Sequence, residues 1–358
     1  MADRKTCFRL MALGLLFATS MAILISIKIE RSHQVSFRKA RITSISTVSP
    51  QYRTKFPTNS PPMATTKAWK TYINESEVQL MRKWVMKHFN PDKDLALDKF
   101  HAWPGQRIKY ALKAKRIKRP YQNITQQFYR LLPKSSPLLG KHFKSCAVVG
   151  NSGILLGSRC GPQIDSADFV FRCNLPAIEG FEKDVGTKSN FTTMNPSVLP
   201  HDYEGYATNR SVQERLLKRF RAVGNQILHI PALVSVHGRP QADFAVGMIR
   251  KNHLPIKITI QPSETTDKID ALWEDSEFKP KRASTGSILF ALAACVCDQI
   301  HMYGFYPFAE DDKGRKIMYH YYGSGRKMRA SHNMSEEQRM YQKLHQRKAL
   351  VLHTEPCR

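Results

Sequence analysis

"SCAVVGNSGILLGSRC", Ser145 to Cys160, joins an uncharged apolar run to a turn punctuated by glycine. Cys146, Ala147, Val148 and Val149 read as a buried strand. Gly150 and Gly153 let the backbone approach a ligand closely, and Asn151-Ser152-Gly153 reads as the opening of a helix whose free amides suit an anion. A tight structural turn explains the glycines equally well, and the spacing is not the GxGxxG of a dinucleotide site. The cysteine at each end has no evident use in a reducing compartment.

Outward from this stretch, short apolar runs alternate with helical ones. "DFVFRCN", "NFTTMN", "ILHIPAL", "IKITI" and the late "QIHMYGF" read as strands, whereas "QERLLKRFRAV" and "SILFALAACV" read as helices. That alternation predicts an α/β fold, Rossmann-like, with a mostly parallel sheet covered by helices on both faces. Ligands of such folds bind beyond the C-terminal ends of the strands, which directs attention to Asn151, Asn174, Asn195 and the turn after Phe305. Ahead of the sheet, "SEVQLMRKWVMKHF" (Ser76–Phe89) reads as an amphipathic helix with Leu80, Trp84 and Val85 on one face. "GQRIKYALKAKRIKRPYQN" (Gly105–Asn123) is densely basic and reads mainly as a solvated helix face, with a docking surface for acidic chains as the sharper alternative.

The chain of 358 residues carries a formal net charge of +27, which implies an anionic partner: nucleic acid, an acidic membrane face or an acidic substrate. The N-terminus narrows that choice. Leu10 to Ile27 holds no charged residue and is preceded by Arg4, Lys5 and Arg9, so it is just long enough to span a bilayer. A cleavable signal peptide competes with this reading, but Ile25-Ser26-Ile27 makes a poor small-x-small cleavage site. The positive-inside rule then gives a cytosolic tail at 1–9, a single-pass signal anchor at 10–27, a Ser/Thr/Pro-rich stem at 28–75 and a lumenal domain at 76–358. So short a span favours the thinner membranes of the early secretory route. A lumenal body never meets nucleic acid, and its cysteines can pair.

Cys146, Cys160, Cys173, Cys295, Cys297 and Cys357 lie on the lumenal side of that span. Cys295 and Cys297 stand too close for a zinc pair, so disulfides are the better reading. Asn74, Asn123, Asn190, Asn209 and Asn333 begin Asn-x-Ser/Thr sequons, which agrees with a lumenal address. Asp92-Lys93-Asp94 has the letters of a metal-binding sugar-transfer motif but no strand before it. It reads as a helix start, and neither a metal nor another cofactor is expected.

Two further stretches carry chemistry. Ser284-Thr285-Gly286 opens an apolar helix beside Lys281 and Arg282, offering hydroxyls, amides and positive charge together. His320, within "YHYYG", and His332, just before a helix whose first turn holds Glu336 and Glu337, stand in polar settings where an imidazole can act as a general base.

Taken in order, these stretches resemble the animal sialyltransferases. "CAVVGNSGILLGSRCGPQIDSADFVFRCNLP" with "DVGTKSNFTTMNPSV" is similar to their large sialylmotif and "STGSILFALAACVCDQIHMYGFYPF" to the small motif. "HYYG" resembles the third motif, and His332 followed by Glu337 the very small one. The likeness runs from about Cys146 to Cys357 and is greatest to the α2,8-sialyltransferases.

The resemblance implies transfer of sialic acid from CMP-sialic acid to a sialylated glycan of a glycoprotein or glycolipid, with inversion and without metal, in the Golgi lumen. It implies that Asn151 and Asn174 hold the phosphate and ribose side of the donor. Ser284, Thr285 and Gly286 would grip the sialate carboxylate, Tyr306 would stack on the donor, Tyr319 and His320 would hold the phosphate, and His332 would be the catalytic base. It also implies the pairings Cys146–Cys297 and Cys160–Cys357, and leaves Cys173 and Cys295 without a partner. Tyr306 stands where relatives usually have Trp, which weakens stacking, and Gly323 stands where α2,8 members usually carry an acidic or amide residue. A glycan on Asn333 would obstruct the base, so occupancy is expected at Asn74, Asn123, Asn190 and Asn209 only.

Alternatives within the class are a polysialyltransferase or an enzyme acting on galactose; outside it, a lumenal glycan-binding protein without catalysis. Arg250 to Arg282 is nearly neutral, because its basic residues are matched by Glu264, Asp267, Asp270, Glu274, Asp275 and Glu277. The absence of a basic track there favours the addition of one or a few residues over a long polyanion.

Overall fold

A computed structural model describes residues 72–111, 121–278, 282–323 and 332–357. The apolar run at 10–27, most of the Ser/Thr/Pro-rich stretch, the basic residues Lys113 to Arg119 and Lys281 lie outside the described residues. Among the described residues, no helix is long and apolar enough to cross a membrane.

The sheet is built on β3 (Phe143–Val149), the strand of the opening stretch. Its partners are β4 (Phe169–Arg172), β5 (Phe191–Thr193), β6 (Ile227–Ile230) and β7 (Lys257–Ile260) on one side, and β8 (Cys297–Tyr303) and β9 (Val351–His353) on the other. The order is β7-β6-β5-β4-β3-β8-β9, and every pairing is parallel. Alternation along β3 explains why both faces are apolar. Cys146 and Val148 join one buried cluster with Phe169, Phe171, Ile300 and Met302, while Ala147 and Val149 join another with Leu155, Ile164 and Val185.

The chain runs outward from β3 to β7, then crosses back to place β8 on the other side of β3. That reversal opens a crevice at the C-terminal ends of β3 and β8. The two strand exits are stitched together there: Gly150 N–H donates to Tyr303 O at 2.7 Å and Ser152 N–H to Gly304 O at 3.1 Å. A Cβ on Gly150 would stand 2.5 Å from Gly304 O, and Gly304 has φ +71°, so the close approach requires glycine at both positions.

Among the described residues, six longer helices pack around the sheet: α1 (Glu75–Met86), α2 (Arg210–Arg221), α3 (Arg239–Lys251), α4 (Glu264–Glu274), α5 (Thr285–Val296) and α6 (Met334–Gln346). Uncharged and buried along nearly its whole length, α5 packs against α1. Arg82 of α1 fixes that contact by donating to Ala294 O at 3.2 Å and to Cys297 O at 2.7 Å. Disulfides join Cys146 to Cys297, tying β3 to β8, and Cys160 to Cys357, tying the turn after β3 to the C-terminal segment. Cys173 and Cys295 are free thiols.

Several local expectations are corrected. The turn after β3 does not open a helix: Gly153–Leu155 is one 3-10 turn, followed by Gly157 at φ +73°. The buried face of α1 is Val78, Met81 and Val85, with Trp84 packed beside it, whereas Leu80 points outward and is 52% exposed. Where it is described, the basic stretch is a strand pair rather than a helix face. In it β1 (Arg107–Lys109) runs antiparallel to β2 (Tyr121–Asn123), with the Arg107 guanidinium 3.9 Å from the Tyr121 ring centre. Asn90 caps the four-residue helical turn Pro91–Asp94, so Asp92-Lys93-Asp94 is a helix start. The helices α3 and α4, strand β9 and the β1–β2 pair were not anticipated.

Candidate active site

The crevice at the strand ends is a cleft of about 760 Å³. Asn151, Asn174, Ser284, Thr285, Gly286, Tyr306, Tyr319, His320 and His332 all line it, although 181 residues of chain separate the first from the last.

Asparagines occupy three neighbouring strand ends. After β3, Asn151 Nδ2 donates to Cys173 O at 3.0 Å, which leaves its buried Oδ1 without a partner. After β4, Asn174 takes a left-handed backbone (φ 59°), held by its N–H donating to Thr193 Oγ1 at 2.8 Å. After β5, Asn195 N–H donates to Asn174 Oδ1 at 3.2 Å, and Asn195 Nδ2 donates to Thr285 Oγ1 at 2.9 Å. Asn195 therefore links the β4 end to the start of α5. Its place at a strand end was visible in the sequence; its bond to Thr285 was not.

The floor of the other side is the start of α5. Ser284 caps the helix, its Oγ accepting from Ser287 N–H at 3.2 Å. Gly286 lies against the Phe305 ring, where a Cβ would come within 2.6 Å of Cε1. From α6, buried Glu337 accepts from Ser284 N–H at 2.8 Å and from Ser284 Oγ at 2.5 Å. Burial pushes the Glu337 carboxyl up to about 7, against the opposing pull of the Ser284 donors. The sequence places Glu337 near His332, yet its partner is Ser284, and Glu336 instead pairs with Arg339 at 2.8 Å.

His332 precedes α6, with Nδ1 3.1 Å from the carbonyl oxygen of Arg282. A carbonyl can only accept, so Nδ1 carries the hydrogen and Nε2 keeps the basic lone pair. Burial holds the imidazole below its ordinary value, opposed by that backbone bond. Burial lowers His320 further, to about 4, and its Nδ1 is buried without a partner. The Tyr319 ring stacks on His320 at 4.4 Å. Tyr306 is buried, with its hydroxyl donating to Glu310 O at 3.1 Å.

The cleft continues past these groups to His201, Ser235, His237 and Gln241, around the approach to α3. Nothing in the sequence pattern pointed to this half. Among the described residues, no cluster of three or more His, Cys, Asp or Glu has the arrangement of a metal site. Of the sequons, Asn74 and Asn209 cap α1 and α2 through their side-chain oxygens, and Asn123 lies exposed on β2. Asn190 is half-buried, its Oδ1 accepting from Val170 N–H at 2.9 Å.

Residues 83–349 match the sequence model of glycosyltransferase family 29 (sialyltransferase), and the chain belongs to that family. It is 33% identical over 254 residues to a Homo sapiens protein named alpha-2,8-sialyltransferase 8E, a match covering 71% of this chain and 66% of that one, just under two thirds of its length. The fold is similar to two solved structures. One, described as a mammalian sialyltransferase, is 23% identical with a TM-score of 0.52, over 82% of this chain and 99% of that one. The other, a mammalian sialyltransferase in complex with Gal-beta-1-3GalNAc-ortho-nitrophenol, is 24% identical with a TM-score of 0.51, over 77% and 96%.

Proposed function

We propose that this chain transfers sialic acid from CMP-sialic acid to the terminal sialic acid of a glycoprotein or glycolipid glycan, forming an α2,8 linkage. The observation that carries the reading is the bond from His332 Nδ1–H to Arg282 O, which leaves Nε2 basic in the same cleft as Ser284, Thr285 and Gly286. In one displacement the acceptor oxygen bonds to the anomeric carbon of the donor sugar from the face opposite CMP. The bond from that carbon to the phosphate oxygen breaks, CMP leaves with the electron pair, and the hydroxyl proton passes to His332 Nε2. Attack from the opposite face inverts the anomeric centre, and the step requires no metal.

Within the donor site, Asn151 spends its amide hydrogens on Cys173 O and, at 3.4 Å, on the Tyr322 hydroxyl, so its free oxygen suits a ribose hydroxyl better than a phosphate. Neutral His320 would donate to the phosphate and gain basicity beside that charge. The start of α5, with Ser284 held by Glu337, would receive the sialate carboxylate. The α2,8 linkage rests on the motif wording and on the named human relative. Addition of one or a few residues rests on the nearly neutral stretch before α5. The apolar run at 10–27 would anchor the chain as a single-pass protein in the Golgi membrane, with the cleft in the lumen.

The test is linkage analysis of the product made by the full-length protein from CMP-sialic acid, offered sialylated and galactose-terminated acceptors together. Short α2,8-linked products on the sialylated acceptor support the reading. Transfer to galactose alone, or long polymers, would replace it with one of the two alternatives, and no transfer at all would favour a binding protein.

A further inference from the structure

Gln338 follows Glu337 on α6, on the helix face that lines the cleft with Met334, Glu337 and Tyr341. It is 1% exposed, and neither Oε1 nor Nε2 has a hydrogen-bond partner among the described residues. A glutamine used only for packing would spend its amide on the backbone or a neighbour, because an unsatisfied buried polar group is destabilising. Glu337, one residue earlier, does so with both oxygens. Arg282, facing the same cleft, also has a buried Nε without a partner. A wall with two orphaned amide atoms and an orphaned N–H in a ligand cleft is complete only when something polar fills it.

The amide limits what that ligand group is. Carboxylate and phosphate oxygens accept only, so they would leave Oε1 facing lone pairs. A donor and an acceptor side by side satisfy both amide atoms at once. Sialic acid carries such a pair on its uncharged edge, where the N–H of the 5-acylamino group adjoins the 4-hydroxyl.

We infer that Gln338 is a specificity-determining residue that holds the 5-acylamino and 4-hydroxyl edge of a sialic acid, with Oε1 accepting the amide N–H and Nε2 donating to the hydroxyl oxygen. The inference rests on the sialyl-transfer reading. Both the donor sugar and a sialylated acceptor present this edge, and the substrate arms of the test tell them apart.

The experiment measures transfer by the full-length wild-type protein, Gln338→Met and Gln338→Leu. It uses CMP-sialic acid or its 4-deoxy analogue as donor, and separately a sialylated acceptor or its 4-deoxy counterpart. Losing one hydrogen bond to the substrate should lower kcat/KM about 3- to 10-fold. In one arm the 4-deoxy change should lower kcat/KM for wild type by that factor yet cost Gln338→Met little more, since the contact is already gone. Binding of CMP alone, followed by calorimetry, should be unchanged in both variants. That measurement also shows whether they are folded, and Gln338→Leu, which likewise lacks both amide groups, stands in if the Met variant is not. Equal losses on native and 4-deoxy substrates in both arms, or no loss, would overturn the assignment. A wild-type protein that neither binds CMP nor transfers sialic acid would instead overturn the sialyl-transfer reading, and this inference with it.

Discussion

Glu337 holds Ser284 by two hydrogen bonds, from the backbone N–H at 2.8 Å and from Oγ at 2.5 Å, so the first turn of α6 sets the position of the α5 cap. The contact joins residues 53 apart in sequence and puts a carboxyl group directly behind the surface assigned to the sialate carboxylate. Its raised pKa, about 7, means that the charge behind that surface changes near neutrality.

Glu337→Gln should therefore keep an acceptor for Ser284 N–H but lose the negative acceptor of the Oγ bond. The KM for CMP-sialic acid should rise about 3- to 10-fold, with a smaller effect on kcat. In the wild type that KM should change with pH around 7, and in the variant it should not. A donor KM that varies with pH alike in both proteins would separate Glu337 from donor binding.

Acid should act on activity through His332. The proposed base works when neutral, so kcat/KM should fall as pH drops through an apparent pKa below 6.5 and level off above it, because burial lowers the imidazole. A profile still rising well above pH 7 would contradict a depressed value.

Stability should also fall in acid. His229, His301 and His320 are pushed down to about 4 by burial, so between about pH 6.5 and 4 the unfolded chain binds more protons than the folded one. Their contribution is present above 6.5 and lost as pH falls through 4. Glu337, raised to about 7, acts in the opposite sense, contributing below 4.5 and losing that contribution as pH rises through 7. The histidines outnumber it, so Tm measured by calorimetry should drop between pH 6.5 and 4. A flat or rising Tm on acidification would contradict their burial.

The cysteines make a chemical prediction. Native alkylation should spare Cys173 and Cys295, whose thiols burial pushes up to about 12, and non-reducing peptide mapping should recover the two bridges. Bridges that close loops of 151 and 197 residues contribute about 5 kcal/mol each in the chain-entropy account, so reduction should lower the midpoint of urea unfolding sharply. Rapid native labelling of Cys173 would show that the β4 end is open to solvent.

Much of this molecule was legible because its sheet is covered on both faces. Uncharged runs such as Ala147–Val149 and Phe169–Phe171 have no solvated side to blur them, and the strand-end rule leads directly to Asn151, Asn174 and Asn195. Two kinds of feature stayed hidden. The helices α3 and α4 carry polar residues on their outer faces, so their apolar period was diluted. Long-range polar partners leave no local trace: the letters put Glu337 beside His332, and only the packing of α6 on α5 hands it to Ser284. The orphaned amide of Gln338 is likewise a property of packing.

The most direct test of the account is single-turnover transfer from CMP-sialic acid by the wild type and by His332→Ala, with CMP binding measured alongside. The account predicts a rate lowered by about 10²–10⁴-fold, the usual contribution of a positioned base, with CMP affinity nearly unchanged. A folded His332→Ala protein that transfers at the wild-type rate would contradict it.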